Sequence, residues 1–151
     1  MDKKLIFLDI DGTILAPGKG ISQGVKEGLK EARARGHQVF VCTGRSCHML
    51  PEELEDVELD GVIANAGSDI WIHGENIYRT AFEESQLRYA FEVMDRLGAI
   101  YILEGYDRIY VSERGVDILS DSEPVPGDNP ELARWKEFFS RWRDTGSMGE
   151  W

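Results

Sequence analysis

The sequence predicts a parallel doubly wound α/β sheet followed by a smaller, partial α+β unit. Three observations carry that expectation. Short apolar runs at residues 4–10, 38–42 and 61–64 are separated by helical patterns. Each run ends in small, polar or acidic residues: Asp9-Ile10-Asp11-Gly12-Thr13, Thr43-Gly44-Arg45-Ser46 and Asn65-Ala66-Gly67. Strand, helix, strand, helix, strand at this spacing indicates parallel pairing. Near residue 80 the pattern changes to one helix and a strand pair, so the domain boundary is expected there, between 1–80 and 81–151.

Residues 4–10 read as a buried strand, and residues 11–20, rich in Gly and Pro, read as a loop. Ser22 is the expected N-cap of a helix whose Val25, Leu29 and Ala32 recur at helical spacing until Gly36 stops it. Residues 38–42 form the second strand. A short helix over 49–54, with Pro51 in its first turn, leads to the third strand at 61–64. Residues 70–78 suggest a hairpin turning at Gly74-Glu75-Asn76. Ser85 is the expected cap of a helix to Leu97, with Leu87, Ala90, Phe91 and Met94 on its apolar stripe. Residues 99–103 and 108–111 read as strands joined around Gly105. A Pro-, Gly- and Asp-rich loop over 121–130 precedes a helix over 130–143 carrying Trp135, Phe138, Phe139 and Trp142. Residues 145–151 show no structural pattern.

A length of 151 residues suffices for one ordinary domain or a core with a small appendage. The net charge of −11, from 28 acidic and 17 basic residues, argues against a nucleic-acid-binding surface. An anionic substrate stays compatible with that charge, because a bound divalent cation reverses the sign locally. Cys42 and Cys47 form no disulfide framework, so a reducing, cytoplasmic setting is expected. No apolar run approaches the length of a membrane span, and no membrane partner is expected.

The chemistry concentrates after the first strand. Side chains alternate along a strand, so Asp9 and Asp11 would share one side if extended geometry continued past the apolar run. Two acids converging there suggest a metal, a nucleophile with its proton-transfer partner, or both. An Asp carboxylate is a competent nucleophile toward phosphorus. Ligands of parallel sheets sit beyond the C-terminal strand ends, where Asp9, Asp11 and Thr43 all fall. Arg45 reads as a structural residue paired with a nearby acid. Asn65 suits a turn as well as a site contact. His37, His48 and His73 lack metal-ligand spacing and read as structural, and Cys47 as a bystander.

Asp9-Ile10-Asp11-Gly12-Thr13, Thr43-Gly44-Arg45 and Asn65-Ala66-Gly67, each behind its strand, resemble the haloacid dehalogenase (HAD) superfamily. The match is closest to its Cof-like branch, sugar-phosphatase-type enzymes with a type IIB cap. Asn-Ala-Gly departs slightly from the Asn-Gly-Ala often seen in that branch. The resemblance implies a Rossmann-like core, with the cap inserted after residue 80. It implies that Asp9 attacks phosphorus to form an aspartyl-phosphate, and that Asp11 protonates the leaving oxygen and then activates water. It implies Mg²⁺ held by the Asp9 carboxylate and the Asp11 backbone carbonyl. Thr43 and Asn65 are its expected substrate contacts, and the N–H groups of Gly12, Thr13 and Gly44 its expected phosphate donors.

Members of that family carry a Lys and a second acidic pair, in a Gly-Asp-x-x-Asn-Asp setting, later in the chain. Lys136, Gly127-Asp128-Asn129 and the Asp117/Asp121 spacing are not expected to be those elements. The chain is therefore expected to be the N-terminal piece of a longer Mg²⁺-dependent phosphomonoester hydrolase, impaired as it stands, acting on a small phosphorylated metabolite. Two alternatives stay open: a noncatalytic remnant or binding module, and phosphoryl transfer between sugar positions. An unpaired sheet edge or the last helix is expected to drive homo-oligomerisation.

Overall fold

The computed structural model describes residues 2–16, 19–106, 109–112, 115, 136 and 148–149. The chain divides into two compact units, Met1–Ala81 and Phe82–Trp151.

The first unit is built on a five-stranded sheet. Its strands are β1 (Leu5–Leu8), β4 (Gln38–Cys42), β5 (Gly61–Ala64), β6 (Asp69–Ile72) and β7 (Glu75–Arg79), in that spatial order. β1, β4 and β5 are parallel, with Phe7 beside Phe40 and Val41 beside Val62. β5, β6 and β7 run antiparallel. Helix α1 (Gln23–Ala34) starts where expected: the Ser22 hydroxyl accepts from the Val25 N–H at 3.3 Å. Gly36, at φ +85°, takes the left-handed geometry that ends it, and its N–H reaches the Arg33 carbonyl at 2.8 Å. Val25 and Leu29 of α1 pack on a core of Ile10, Ile14, Ile21, Val41, Leu54 and Val57. A fully buried side chain of this size contributes roughly 1.5–3 kcal/mol.

Four local expectations are corrected. β1 is not buried: Leu5 and Phe7 are 58% and 52% exposed. Ile6 and Leu8 face inward, while Leu5 and Phe7 alternate to the opposite face, where Phe7 stacks on Phe40 with ring centroids 5.0 Å apart. The stretch after β1 is more than a loop, since β2 (Leu15–Ala16) and β3 (Gly20–Ile21) pair antiparallel within it. The expected helix over 49–54 is instead two 3₁₀ turns, Cys47–Met49 and Glu52–Leu54. Leu50 between them is extended, at φ −65° and ψ 136°, as the residue before a proline prefers. The hairpin turns at His73-Gly74, φ 50° and 82°, the mirror-image geometry that suits two-residue hairpins.

In the second unit, α2 (Glu84–Arg96) is capped by Glu83 and not by Ser85. The Glu83 N–H donates to Gln86 Oε1 at 2.9 Å, the reciprocal bond of a capping box. β8 (Ile102–Glu104) and β9 (Ile109–Val111) pair antiparallel as expected. Phe91 stacks on Tyr101 at 5.6 Å, and the Tyr101 hydroxyl donates to Asp95 at 3.0 Å. The last residues are not patternless: β10 (Met148–Gly149) adds in parallel to β9, whose edge offers backbone donors and acceptors. The loop over 121–130 and, save Lys136, the helix over 130–143 lie outside the described residues. Among the described residues no helix is long and apolar enough to cross a membrane.

Candidate active site

Beyond the C-terminal ends of β1, β4 and β5 lies an open cleft of about 340 Å³. Asp9, Thr43 and Gly44 line it, together with Cys42, Ile63, Ala66 and Gly67.

The turn after β1 delivers Asp9. The N–H groups of Thr13, Ile14 and Leu15 converge on the Ile10 carbonyl at 3.3, 3.2 and 2.9 Å. Gly12, at φ +81°, returns its own N–H to the Leu15 carbonyl at 3.0 Å. Ile10 is fully buried at the centre of this turn, and Asp9 stands exposed beside it. The Thr13 hydroxyl approaches Asp9 Oδ2 at 3.5 Å. The expected phosphate donors are thereby divided. The N–H groups of Gly12 and Thr13 are committed within the turn, and neither residue lines the cleft. Gly44 does line it.

Asp11 does not share a side with Asp9 along one strand, because β1 ends at Leu8. Its carboxylate meets Arg45 in a two-point fork, Nε to Oδ2 at 2.8 Å and Nη2 to Oδ1 at 2.6 Å. The third guanidinium nitrogen donates to the Met49 carbonyl at 2.9 Å. Arg45 thus has the acidic partner expected of it.

Thr43 is buried at 5% exposure. Its hydroxyl oxygen accepts from the Arg45 N–H at 3.1 Å. A hydroxyl that accepts in this way keeps its own proton to donate.

The third loop brings a surprise of geometry. Asn65, Ala66 and Gly67 all take positive φ, at 49°, 52° and 99°. The Asn65 N–H donates to the Arg45 carbonyl at 2.8 Å, and the Ala66 N–H to the Thr43 carbonyl at 3.0 Å. Ala66 and Gly67 border the cleft, whereas Asn65 contributes its peptide groups to the scaffold. Sequence reasoning chose Asn65 and missed its two neighbours. The Gly at 67 was the available signal, since glycine favours the left-handed geometry that all three residues take.

Behind the cleft, Asp69 is 3% exposed and collects four donors. Asn76 Nδ2 reaches it at 2.6 Å, Arg79 Nε and Nη2 at 3.1 and 3.3 Å, and Cys47 Sγ at 3.5 Å. The Arg79 guanidinium also lies over the Trp71 ring, 5.4 Å from its centroid. Burial and the adjacent Asp69 push the Cys47 thiol up to about 11. Burial, then the charge of Asp9, pushes Cys42 up as well.

The Mg²⁺ implied by the resemblance calls for hard oxygen donors. The Asp9 carboxylate and the backbone carbonyl of Asp11 are of that kind, and Mg²⁺ ordinarily completes its shell with water. The donor chemistry therefore fits a hydrated cation held at two points. Among the described residues no group of three or more His, Cys, Asp or Glu side chains gathers into a metal cage.

Comparison with known proteins points to one family. A family model of haloacid dehalogenase-like hydrolases matches residues 6–140. The putative phosphatase YkrA of Bacillus subtilis is 33% identical over 95 residues, 63% of this chain and 37% of that protein. The 5-amino-6-(5-phospho-D-ribitylamino)uracil phosphatase YcsE of the same organism is 35% identical over 78 residues, 51% of this chain and 31% of that protein. Among solved structures, the HAD subclass IIB sugar phosphatase BT4131 superposes with a TM-score of 0.66 at 25% identity, covering 88% of this chain and 55% of that one. A haloacid dehalogenase-like hydrolase from B. subtilis reaches 0.74 at 19% identity, over 97% and 53% of the two chains, a likeness of fold. The chain spans about a third of the length of the curated relatives and about half of the solved ones.

Proposed function

The chain belongs to the haloacid dehalogenase-like hydrolases, and from that footing we propose that it is the phosphoryl-handling part of a Mg²⁺-dependent phosphomonoester hydrolase. Its substrate class is a small phosphorylated metabolite. Asp9 attacks phosphorus; the bond to the leaving oxygen breaks, and that oxygen takes a proton from Asp11, whose carboxyl leaves its fork with Arg45 to carry it. An aspartyl-phosphate remains. Water then attacks this phosphorus, giving its proton to Asp11, and the Asp9 carboxylate is restored with release of inorganic phosphate. The Thr43 hydroxyl and the Gly44 N–H donate to phosphoryl oxygens. The Asp9 carboxylate and the Asp11 carbonyl would hold Mg²⁺, whose charge would offset the repulsion between an anionic nucleophile and an anionic ester.

The observation that supports this most is the cleft itself: one exposed carboxylate, Asp9, and one buried hydroxyl with a proton to donate, Thr43, border the same space. Two free thiols suit a reducing, cytoplasmic setting. Hydrolysis of p-nitrophenyl phosphate with and without Mg²⁺ tests the proposal. Turnover is expected to need Mg²⁺, to vanish on chelation, and to be abolished by Asp9→Asn with an unchanged circular dichroism spectrum. Turnover unaffected by Asp9→Asn would remove Asp9 as the nucleophile.

A further inference from the structure

We propose that the outer edge of β1 is an interface between two copies of this chain, paired antiparallel about Ile6. β1 is the first strand of the five-stranded sheet, and among the described residues only β4 pairs with it. Its other edge therefore offers backbone donors and acceptors. The Gln38 N–H reaches the Lys4 carbonyl at 2.9 Å, so Lys4, and by alternation Ile6 and Leu8, turn their peptide groups toward β4. Leu5 and Phe7 turn theirs to the outer edge. The two edges of the sheet differ in kind. β7, at the far edge, carries Glu75 and Arg79, and charged side chains discourage strand addition. β1 reads Leu5-Ile6-Phe7-Leu8 without a charge, and its Leu5 and Phe7 side chains are exposed.

The occupant is a second copy because the strand is complementary to itself. A two-fold axis through Ile6 sets Leu5 opposite Phe7 of the other copy, and Phe7 opposite its Leu5. The peptide groups of both residues face the outer edge, so each pair closes two ladder hydrogen bonds. Side chains directly opposite share one face, so Leu5 and Phe7 pack across the interface and extend the stack of Phe7 on Phe40. The same register brings Lys3 of one copy opposite Asp9 of the other, once at each end. Moving the axis to Leu5 sets Lys3 against Phe7, and moving it to Phe7 sets Leu5 against Asp9. Parallel pairing in register sets Lys3 against Lys3 and Asp9 against Asp9, where like charges repel. Of these arrangements, the antiparallel register about Ile6 alone matches apolar to apolar and cation to anion along the strand.

Sedimentation of the full chain tests this. The weight-average mass is expected to rise toward twice that of the monomer between about 5 and 200 µM, the range in which a small interface dissociates. Leu5→Lys changes a side chain that is exposed in the single chain. It is expected to keep the circular dichroism spectrum and to raise the dissociation constant by about tenfold or more, because it acts at two symmetry-related pairs. Lys3→Glu is expected to weaken the dimer by about fivefold, and Lys3→Arg to leave it unchanged. Cysteine substitution reads the register. Ile6→Cys stands opposite its own copy at a non-hydrogen-bonded pair, with Cα atoms about 4.5 Å apart and within disulfide reach. Mild oxidation is expected to link it, with the bond mapped by mass spectrometry to position 6 in both copies. Phe7→Cys sets its two copies on a diagonal about 7–8 Å apart and is expected to link about tenfold more slowly. A monomer at every concentration overturns the proposal. So does a dimer that Leu5→Lys leaves intact, which would place the association on another face. Faster linking by Phe7→Cys than by Ile6→Cys overturns the register, and the proposal with it. If Ile6→Cys fails to fold, Leu5→Lys and Lys3→Glu decide between the same outcomes.

Discussion

Ala66 takes φ 52° and ψ 31°, a conformation in which the Cβ of an L-residue crowds its following carbonyl at a cost of roughly 1–2 kcal/mol. Asn65 before it tolerates that region better than most residues, and Gly67 after it tolerates it freely. The order Asn-Ala-Gly was visible in the sequence, yet the strain was not, because propensity assigns the left-handed position to the glycine. Strain persists where the surroundings over-determine it, and the Ala66 N–H is held by the Thr43 carbonyl. Ala66→Gly is expected to stabilise the chain by about 1 kcal/mol in urea denaturation; a loss of stability would show that the Ala66 methyl packs usefully. Cys47 was legible as a bystander but not as an inert one. With its thiol pushed up to about 11 beside Asp69, its thiolate fraction at neutral pH falls about a hundredfold. Alkylation of Cys47 in the native chain should be slower than in urea by about that factor, whereas equal rates would place the thiol outside the Asp69 network.

At the scale of elements, the long periodic segments were legible and the short ones were not. β4, β5 and α1 announce themselves through apolar runs, a serine cap and a terminating glycine. The two-residue strands β2 and β3 carry too few side chains to show a period. The Glu83 cap was hidden because Ser85 is the better intrinsic cap, yet Gln86 lies three residues beyond Glu83 and completes the reciprocal bond there. Gly61 shows how an element can depend on a missing side chain. A Cβ at this position would stand 2.5 Å from the Trp71 carbonyl and 2.8 Å from the Phe40 ring. Both neighbours belong to strands paired with β5, so neither can withdraw without breaking a ladder. Gly61→Ala is expected to destabilise by roughly 1–3 kcal/mol, the range of an overpacked core. It should also loosen the sheet between β4 and β6, read as faster hydrogen exchange at the Asp60 and His73 amides, which donate to the Val39 and Asp60 carbonyls. Unchanged exchange at both amides would mean that the sheet absorbs the methyl elsewhere.

At the scale of the whole molecule, the charge of −11 is a poor guide to where stability resides, because most of the carboxylates among the described residues are exposed. Two in the first unit are not. Asp60 is 8% exposed; burial pushes its carboxyl up, but hydrogen bonds from Arg33 and the Val39 N–H outweigh that and hold it below the usual range. Arg33 reaches it from α1 through Nε at 3.1 Å and Nη2 at 3.3 Å, so the pair fastens helix to sheet. For Asp69, burial again acts upward and is outweighed by hydrogen bonds led by Arg79, leaving its carboxyl depressed too. A carboxylate whose folded-state value is depressed stabilises the fold at pH above its unfolded value, and that stability is lost as pH falls through the folded one. The denaturation midpoint should therefore stay level between about pH 7 and 5 and drop below about pH 4. Asp60→Asn with Asp69→Asn lowers stability at neutral pH, since Arg33 keeps the exposed Glu58 but loses its buried counter-charge, and Arg79 loses that of Asp69. The same pair of changes should flatten the acid limb, because the protons it takes up are then no longer linked to folding. The Val39 amide, bonded to Asp60 Oδ2 at 2.8 Å, is the local reporter of the helix-to-sheet pair. An acid limb equally steep in the double variant would assign the acid sensitivity to other carboxylates and detach it from these two arginine pairs.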